Sequence, residues 1–209
     1  MSKSRLGPAD WARAALDAIA EGGLRAAAVE TLVPRVGASK GSFYWHFADH
    51  AALIAAAVAL WEETATEALI HDLEKVRDPR ERLRQLFSVA FGDPSAGRVE
   101  VALAADPEHP SIRATLYRVT VRRLAFVADA FVELGYTQSQ ARHRALVAYS
   151  SYLGFFAVRG GNPASVPVQG RSLTIFVSEL LDMLTSPEGA SARPVQVRSS
   201  SDARRRLPE

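Results

Sequence analysis

Residues 28–54 read AVETLVPRVGASKGSFYWHFADHAALI, and their reading decides the fold. Val29, Leu32 and Val36 step by three and four, the spacing of apolar positions along one helix face. Gly37 stops that run where a positive φ costs nothing sterically. Ser39 is placed to cap a second short helix that runs to Phe47. Two short helices across a tight turn are the grammar of a helix-turn-helix. The second is too short to persist alone, so it must lean on its neighbours through Phe43 and Phe47. Its outward face would then show Lys40, Ser42, Tyr44, Trp45 and His46. Cationic, hydroxylated and aromatic groups of this kind contact phosphates and base edges, and a recognition helix enters the major groove by its N-terminal residues.

Outward from this stretch the chain reads as all-α, with about nine helices. Upstream, Ala12, Leu16 and Ile19 lie on one stripe that Gly22-Gly23 terminates. Downstream, Asp49 is an N-cap for a long helix to about Lys75, carrying Ile54, Val58, Trp61, Ala65, Leu69 and Leu73. Pro79 suits the first turn of a helix ending near Gly92. A short helix is expected within 95–106, with Pro107 and Pro110 breaking the chain after it. A long helix with Ile112, Leu116, Val119, Leu124, Val127, Phe131 and Leu134 in line closes at Gly135. Residues 138–158 form a helix apolar on two faces, Ala145, Tyr149, Tyr152 and Phe156 on one and Leu146, Leu153 and Ala157 on the other. Such a helix must pack against more than one neighbour. Gly160 to Pro163 read as a loop, and Leu173, Phe176, Leu180 and Leu184 mark a last helix. The expected units are a DNA-binding head over 1–48, a helical body over 49–185, and a disordered tail over 186–209 rich in Ser, Arg and Pro.

Composition fits a globular protein: 209 residues, 48% hydrophobic and 23% charged, with a formal net charge of +2. Arginine carries the basic side, since Lys3, Lys40 and Lys75 are the lysines. The sequence contains no cysteine, which removes disulfides, zinc–thiolate sites and thiol catalysis. No signal-peptide core and no long apolar run stand out, so the expected setting is the cytoplasm, without a membrane partner. Gly37 to Gly41 spell the G-x-S-x-G of a hydrolase nucleophile elbow, but that elbow needs a preceding strand; a helix cap explains Ser39 better. His46 and His50 are separated by a turn, and no metal-ligand or dinucleotide motif occurs, so no metal and no cofactor is expected. An enzyme reading is disfavoured, because no nucleophile–base pair is visible. Arg122-Arg123 reads as a solvated helix face, and Arg204-Arg205-Arg206 as part of a solvated tail or an auxiliary nucleic-acid contact.

The pattern V-E-x-L-x-x-x-V-G-A-S-K-G-S-F-Y-W-H-F-x-D, preceded by A-L-D-A-I-A-E-x-G-L, resembles the TetR family of one-component transcriptional regulators over residues 11–58. The resemblance implies that Ser39, Lys40, Gly41, Ser42, Tyr44, Trp45, His46 and His50 sit at DNA-contact positions. Within that set, Tyr44 and His46 would hold backbone phosphates and Gly41 would permit close approach. It departs from the family at Ala28, where a Thr or Ser usually caps the second helix, at Pro34 inside that helix, and at His50, often Lys. It further implies a homodimer through the last two long helices, a palindromic double-stranded DNA operator, and a small-molecule effector that releases a repressor. Trp61, Phe87, Phe91, Tyr117, Phe126, Tyr149, Tyr152 and Phe156 are the candidate pocket residues, for an apolar or aromatic ligand. A regulator that has lost sensing and only binds DNA is the alternative within this class.

Overall fold

The computed structural model describes residues 6–106, 109–167 and 169–186, with Pro94 and Ala96 described by their backbone alone. Nine helices follow one another among the described residues, and these contain no strand. The first three are α1 (Pro8–Gly22), α2 (Val29–Val36) and α3 (Lys40–His46). Next comes α4, which runs as His50–Glu62, passes through a π turn at Glu63–Glu67 and resumes as Ala68–Leu73. Then come α5 (Pro79–Gly92), α6 (Pro94–Ala104), α7 (Pro110–Glu133), α8 (Gln138–Gly161) and α9 (Gly170–Thr185).

The starts and stops have local causes. Asp49 caps α4 by accepting from the Ala52 N–H at 2.8 Å, and Asp78 caps α5 by accepting from Glu81 N–H at 2.7 Å. Thr137 and Gln140 form a reciprocal capping box at the start of α8. Gly37 closes α2 in the left-handed region, at φ 66°. One expectation holds at an unusual residue and another changes. Pro34 sits inside α2 without ending it, since the helix runs two residues further to Val36 before Gly37 closes it. The loop expected at Gly160–Pro163 begins later, because α8 continues through both glycines to Gly161 and Asn162 caps it. The expected tail from residue 187 onward lies outside the described residues.

Two large apolar cores form. One gathers Trp11, Ala15, Ile19, Leu32, Phe43 and Phe47 from α1 to α3 together with Leu53, Ile54, Val58 and Trp61 of α4, Val99 and Leu103 of α6, and Ile112 and Val119 of α7. The other joins α5, α7, α8 and α9 through Phe87, Phe91, Phe131, Tyr152, Phe155, Phe156 and Leu180. The chain position between α3 and α4 is a turn, yet the first core runs across it without interruption. Gly97 of α6 lies so close under the Phe156 ring that a Cβ there would sit 2.2 Å from it, which locks α6 against α8.

Phe43 is fully buried, edge-on to Trp11 with ring centroids 5.5 Å apart. Replacing it with alanine should cost about 3–5 kcal/mol. A shift of the denaturant midpoint corresponding to under 1 kcal/mol would show that α3 is held by something else.

Candidate nucleic-acid interface and interior cavity

The short helix α3 cannot hold its own conformation, and its shape comes from its anchors. Ser39 accepts the Ser42 N–H at 3.2 Å and so fixes the first turn. Phe43 and Phe47 point inward, 0% and 6% exposed, and stack on one another at 5.6 Å. With the inward side taken, the outward side carries what remains. Trp45 is 80% exposed and Tyr44 63% exposed, and Ser39, Lys40 and Gly41 are exposed as well. Ser42 and His46 are half-buried. A Cβ on Gly41 would meet nothing closer than Ser39 Oγ at 3.7 Å, so no packing within the chain requires glycine there.

Two of these groups have partners in the free protein. Lys40 Nζ donates to Glu30 of α2 at 2.7 Å. That hydrogen bond holds the Glu30 carboxyl below and the Lys40 ammonium above their ordinary values. His50 Nε2 donates to the Ala27 carbonyl at 3.0 Å, tying the first turn of α4 to the segment before α2. His50 is therefore first a structural tie, and its Nε2 is already occupied.

Behind the head a cavity of about 330 Å³ opens between α4, α5, α7 and α8. Its wall is largely apolar, with Leu86, Phe87, Phe91, Phe126 and Val127 among the lining residues. Tyr149 and Tyr152 also face it, so five of the eight candidate pocket residues line the wall. Three do not. Trp61 is buried in the first core and Phe156 is packed on Gly97. Tyr117 is 72% exposed, because buried Thr115 and Val119 on either side of it along α7 turn it to the far side of the helix.

The cation of the wall is Arg123, and the expectation of a solvated Arg122-Arg123 face fails for it. Arg122 does reach solvent, pairing with Glu67 of α4 and with Glu74 just past its end. Arg123 points inward, its side chain 15% exposed, and pairs at 2.5 Å with Glu100 of α6, whose side chain is 1% exposed. Its Nη2 donates to the Ala65 carbonyl and its Nε to Thr66 Oγ1, both at 2.9 Å, inside the π turn of α4. The guanidinium also lies 5.3 Å from the Trp61 ring and 5.9 Å from the Tyr152 ring. Tyr149 O–H donates to the second oxygen of Glu100, and Thr120 Oγ1 lies 3.1 Å from the phenol oxygen. Burial, then the Glu100 charge, pushes the Tyr149 and Tyr152 phenols up, so both stay neutral. For Arg123 burial works against the charge and the neighbouring Glu100 carboxylate works for it, and the guanidinium is held above its usual value.

A signal for this cluster was present in the sequence. Arg123 lies four residues from Val119 and four from Val127, inside the apolar stripe of α7, and Glu100 lies between Val99 and Leu103. Charged residues on a buried face are almost always paired. The π turn itself had no such signal, since Glu63–Glu67 continue the helical pattern.

These features define an all-helical protein whose head is a helix-turn-helix. Residues 12–57 match the model of the bacterial regulatory proteins of the tetR family. The match covers α1 to α3 and the first half of α4, the segment that carries the helix-turn-helix. The same fold recurs in solved structures. A transcriptional regulator from Rhodococcus sp. Rha1 is 22% identical with a TM-score of 0.72, covering 90% of this chain and 100% of that one. A TetR-family regulator from Agrobacterium tumefaciens is 21% identical, TM-score 0.65, covering 85% and 98%. FadR from Bacillus subtilis, solved in complex with stearoyl-CoA, is 17% identical, TM-score 0.63, covering 84% and 96%. No curated protein matches the sequence. Among the described residues no helix is long and apolar enough to cross a membrane, and no group of three or more potential metal ligands gathers.

Removing one partner of a buried pair leaves the other charge stranded. Glu100→Leu should destabilise the protein by about 3–5 kcal/mol, whereas Glu100→Leu with Arg123→Met should recover most of that loss. Equal thermal midpoints for the single and double variants would show that the pair is not coupled.

Proposed function

We propose that the chain is a repressor that binds a palindromic operator as a homodimer and leaves it when a small apolar or aromatic molecule fills the cavity. The observation that carries the reading is α3: two rings anchor it inward while Tyr44 and Trp45 stand free in solvent. In this reading Tyr44 and His46 hold backbone phosphates, Lys40 exchanges Glu30 for a phosphate, and Ser39, Ser42 and Trp45 approach the groove. Gly41 lets the helix backbone come close to the duplex. His50 contributes by fixing the orientation of α4, with its Nε2 on Ala27.

The dimer proposal rests on the uncovered side of α8 and α9. Leu146, Val147 and Val158 of α8 and Ile175 and Met183 of α9 are each about half exposed or more. Ser151, Gly154 and Ala157 lie among the α8 residues and leave room for another helix to approach. Two copies of this face would form the self-complementary contact of a two-fold dimer. The paired heads would then read half-sites about 34–36 Å apart, or a multiple of that spacing.

Release is a coupling between two sites, of about 1–3 kcal/mol in typical cases. Here α4 is the shared element. Thr64 to Thr66 form part of the cavity wall, and the first turn of the same helix is tied to the head through His50. FadR, the neighbour of similar fold, was solved with stearoyl-CoA bound; this supports a ligand-responsive body here without identifying the ligand.

Three measurements test the reading. In gel-shift titrations against DNA flanking its own gene, Lys40→Ala should weaken binding and flatten the logarithmic salt slope by about one unit. Unchanged operator affinity would remove Lys40 from the interface. Gly41→Ala should leave stability equal or raise it by up to about 1 kcal/mol, yet weaken operator binding. A variant that is both stable and fully binding would refute close approach at Gly41. Val147→Glu with Val158→Glu should convert a dimer to a monomer in sedimentation velocity, and a dimer unaffected by both would place the interface elsewhere.

A further inference from the structure

The cavity contains enough chemistry to specify the charge of what it takes, provided that it is the effector site proposed above. We infer that its ligand is an uncharged, largely apolar molecule bearing one oxygen acceptor, such as a ketone, ester or amide, and that Glu100 is the residue that sets this preference by excluding carboxylates.

The argument starts from the donors at the wall. Tyr149 gives its proton to Glu100, so that phenol is not free to donate to a ligand. Arg123 has five N–H groups; its bonds to Thr66, Glu100 and Ala65 use three, and its hydrogen bond to the Tyr152 phenol uses a fourth. Arg123 lines the cavity with donor capacity remaining, beside the ring of Tyr152. A bound molecule would therefore meet a hydrogen-bond donor at Arg123 and apolar side chains at Phe87, Phe91, Phe126 and Val127, while Asp72 and Asp93 of the same lining add further negative charge. An oxygen acceptor on an apolar frame matches that arrangement.

Charge then decides between acceptors. Glu100 already balances the guanidinium at 2.5 Å, and it is 1% exposed on its other sides. A ligand carboxylate would add a second anion to one cation, in a place where water screens little. A cationic ligand would lie against Arg123, with the balancing carboxylate on the guanidinium's other flank. A neutral acceptor keeps the wall as it is and needs no proton taken up or lost.

The test uses two probes of nearly equal size and shape, 2-acetylnaphthalene and 2-naphthoate, titrated calorimetrically into the full-length protein. No DNA is present, so the outcome does not depend on whether the head binds an operator. The intact protein should bind the ketone saturably and prefer it to the carboxylate by about tenfold or more. Glu100→Gln keeps the shape of the side chain and removes its charge, leaving Arg123 uncompensated; naphthoate should then gain at least as much relative to the ketone. Absence of saturable ketone binding, or a preference for naphthoate in the unaltered protein, overturns the inference. So does a Glu100→Gln variant, folded by its helical circular dichroism, whose preference is unchanged. Should that variant not fold, the comparison of the two probes on the unaltered protein decides alone.

Discussion

Everything the head does depends on one edge-to-face contact, Phe43 against Trp11. A helix of seven residues is below the length at which backbone hydrogen bonds outweigh ordering entropy. Its conformation is imposed from behind, by the ring of α1 that Phe43 meets and by Phe47 stacked alongside. The outward groups are positioned by proxy. Tyr44, whose ring lies edge-on to Phe43 at 5.1 Å, is the clearest case, because it stands in solvent with one side braced by an anchored neighbour. Rigid support of this kind lowers the entropy lost when such a group meets a partner.

The body is organised around a second constraint, the buried charge of Arg123. One guanidinium reaches three elements: the π turn of α4, Glu100 on α6 and the aromatic wall contributed by α8. These are also the elements that connect cavity to head, since α4 and α6 both contribute to the core that contains Trp11. A π turn is a place where a helix departs from its regular hydrogen-bond ladder, and such turns occur often at functional sites. Here Arg123 supplies a donor to the Ala65 carbonyl within it.

The head was legible in the sequence almost residue by residue. Gly37, Ser39, Phe43, Phe47 and Asp49 each have a local role that side-chain chemistry dictates, and each appears in that role. The helices of the body were legible as periodicity, with the end of α8 displaced by three residues because Gly160 and Gly161 continue the helix. The cavity was half legible. Aromatic residues on helical stripes cannot be assigned to a wall or to a core without knowing which helices face one another, and in pattern Trp61 and Phe156 do not differ from Phe87 and Tyr152. Tyr117 failed for a different reason: a tyrosine between two buried positions sits on the opposite side of its helix. Arg122 and Arg123 are adjacent in sequence but point in directions about 100° apart around α7, so one is solvated and the other buried.

The uninterrupted core between α3 and α4 has a consequence for how the molecule comes apart. Leu53, Ile54, Val99, Leu103 and Ile112 cover the same apolar surface that α1, α2 and α3 present. Cut from the rest, the reading head would face water with that surface bare, so it is not a module to be transplanted onto a foreign sensor by joining the chains at residue 48. A working chimera would have to carry the partner faces of α6 and α7 along with it, and inheritance of specificity in this architecture follows the shared packing, not the order of segments along the chain.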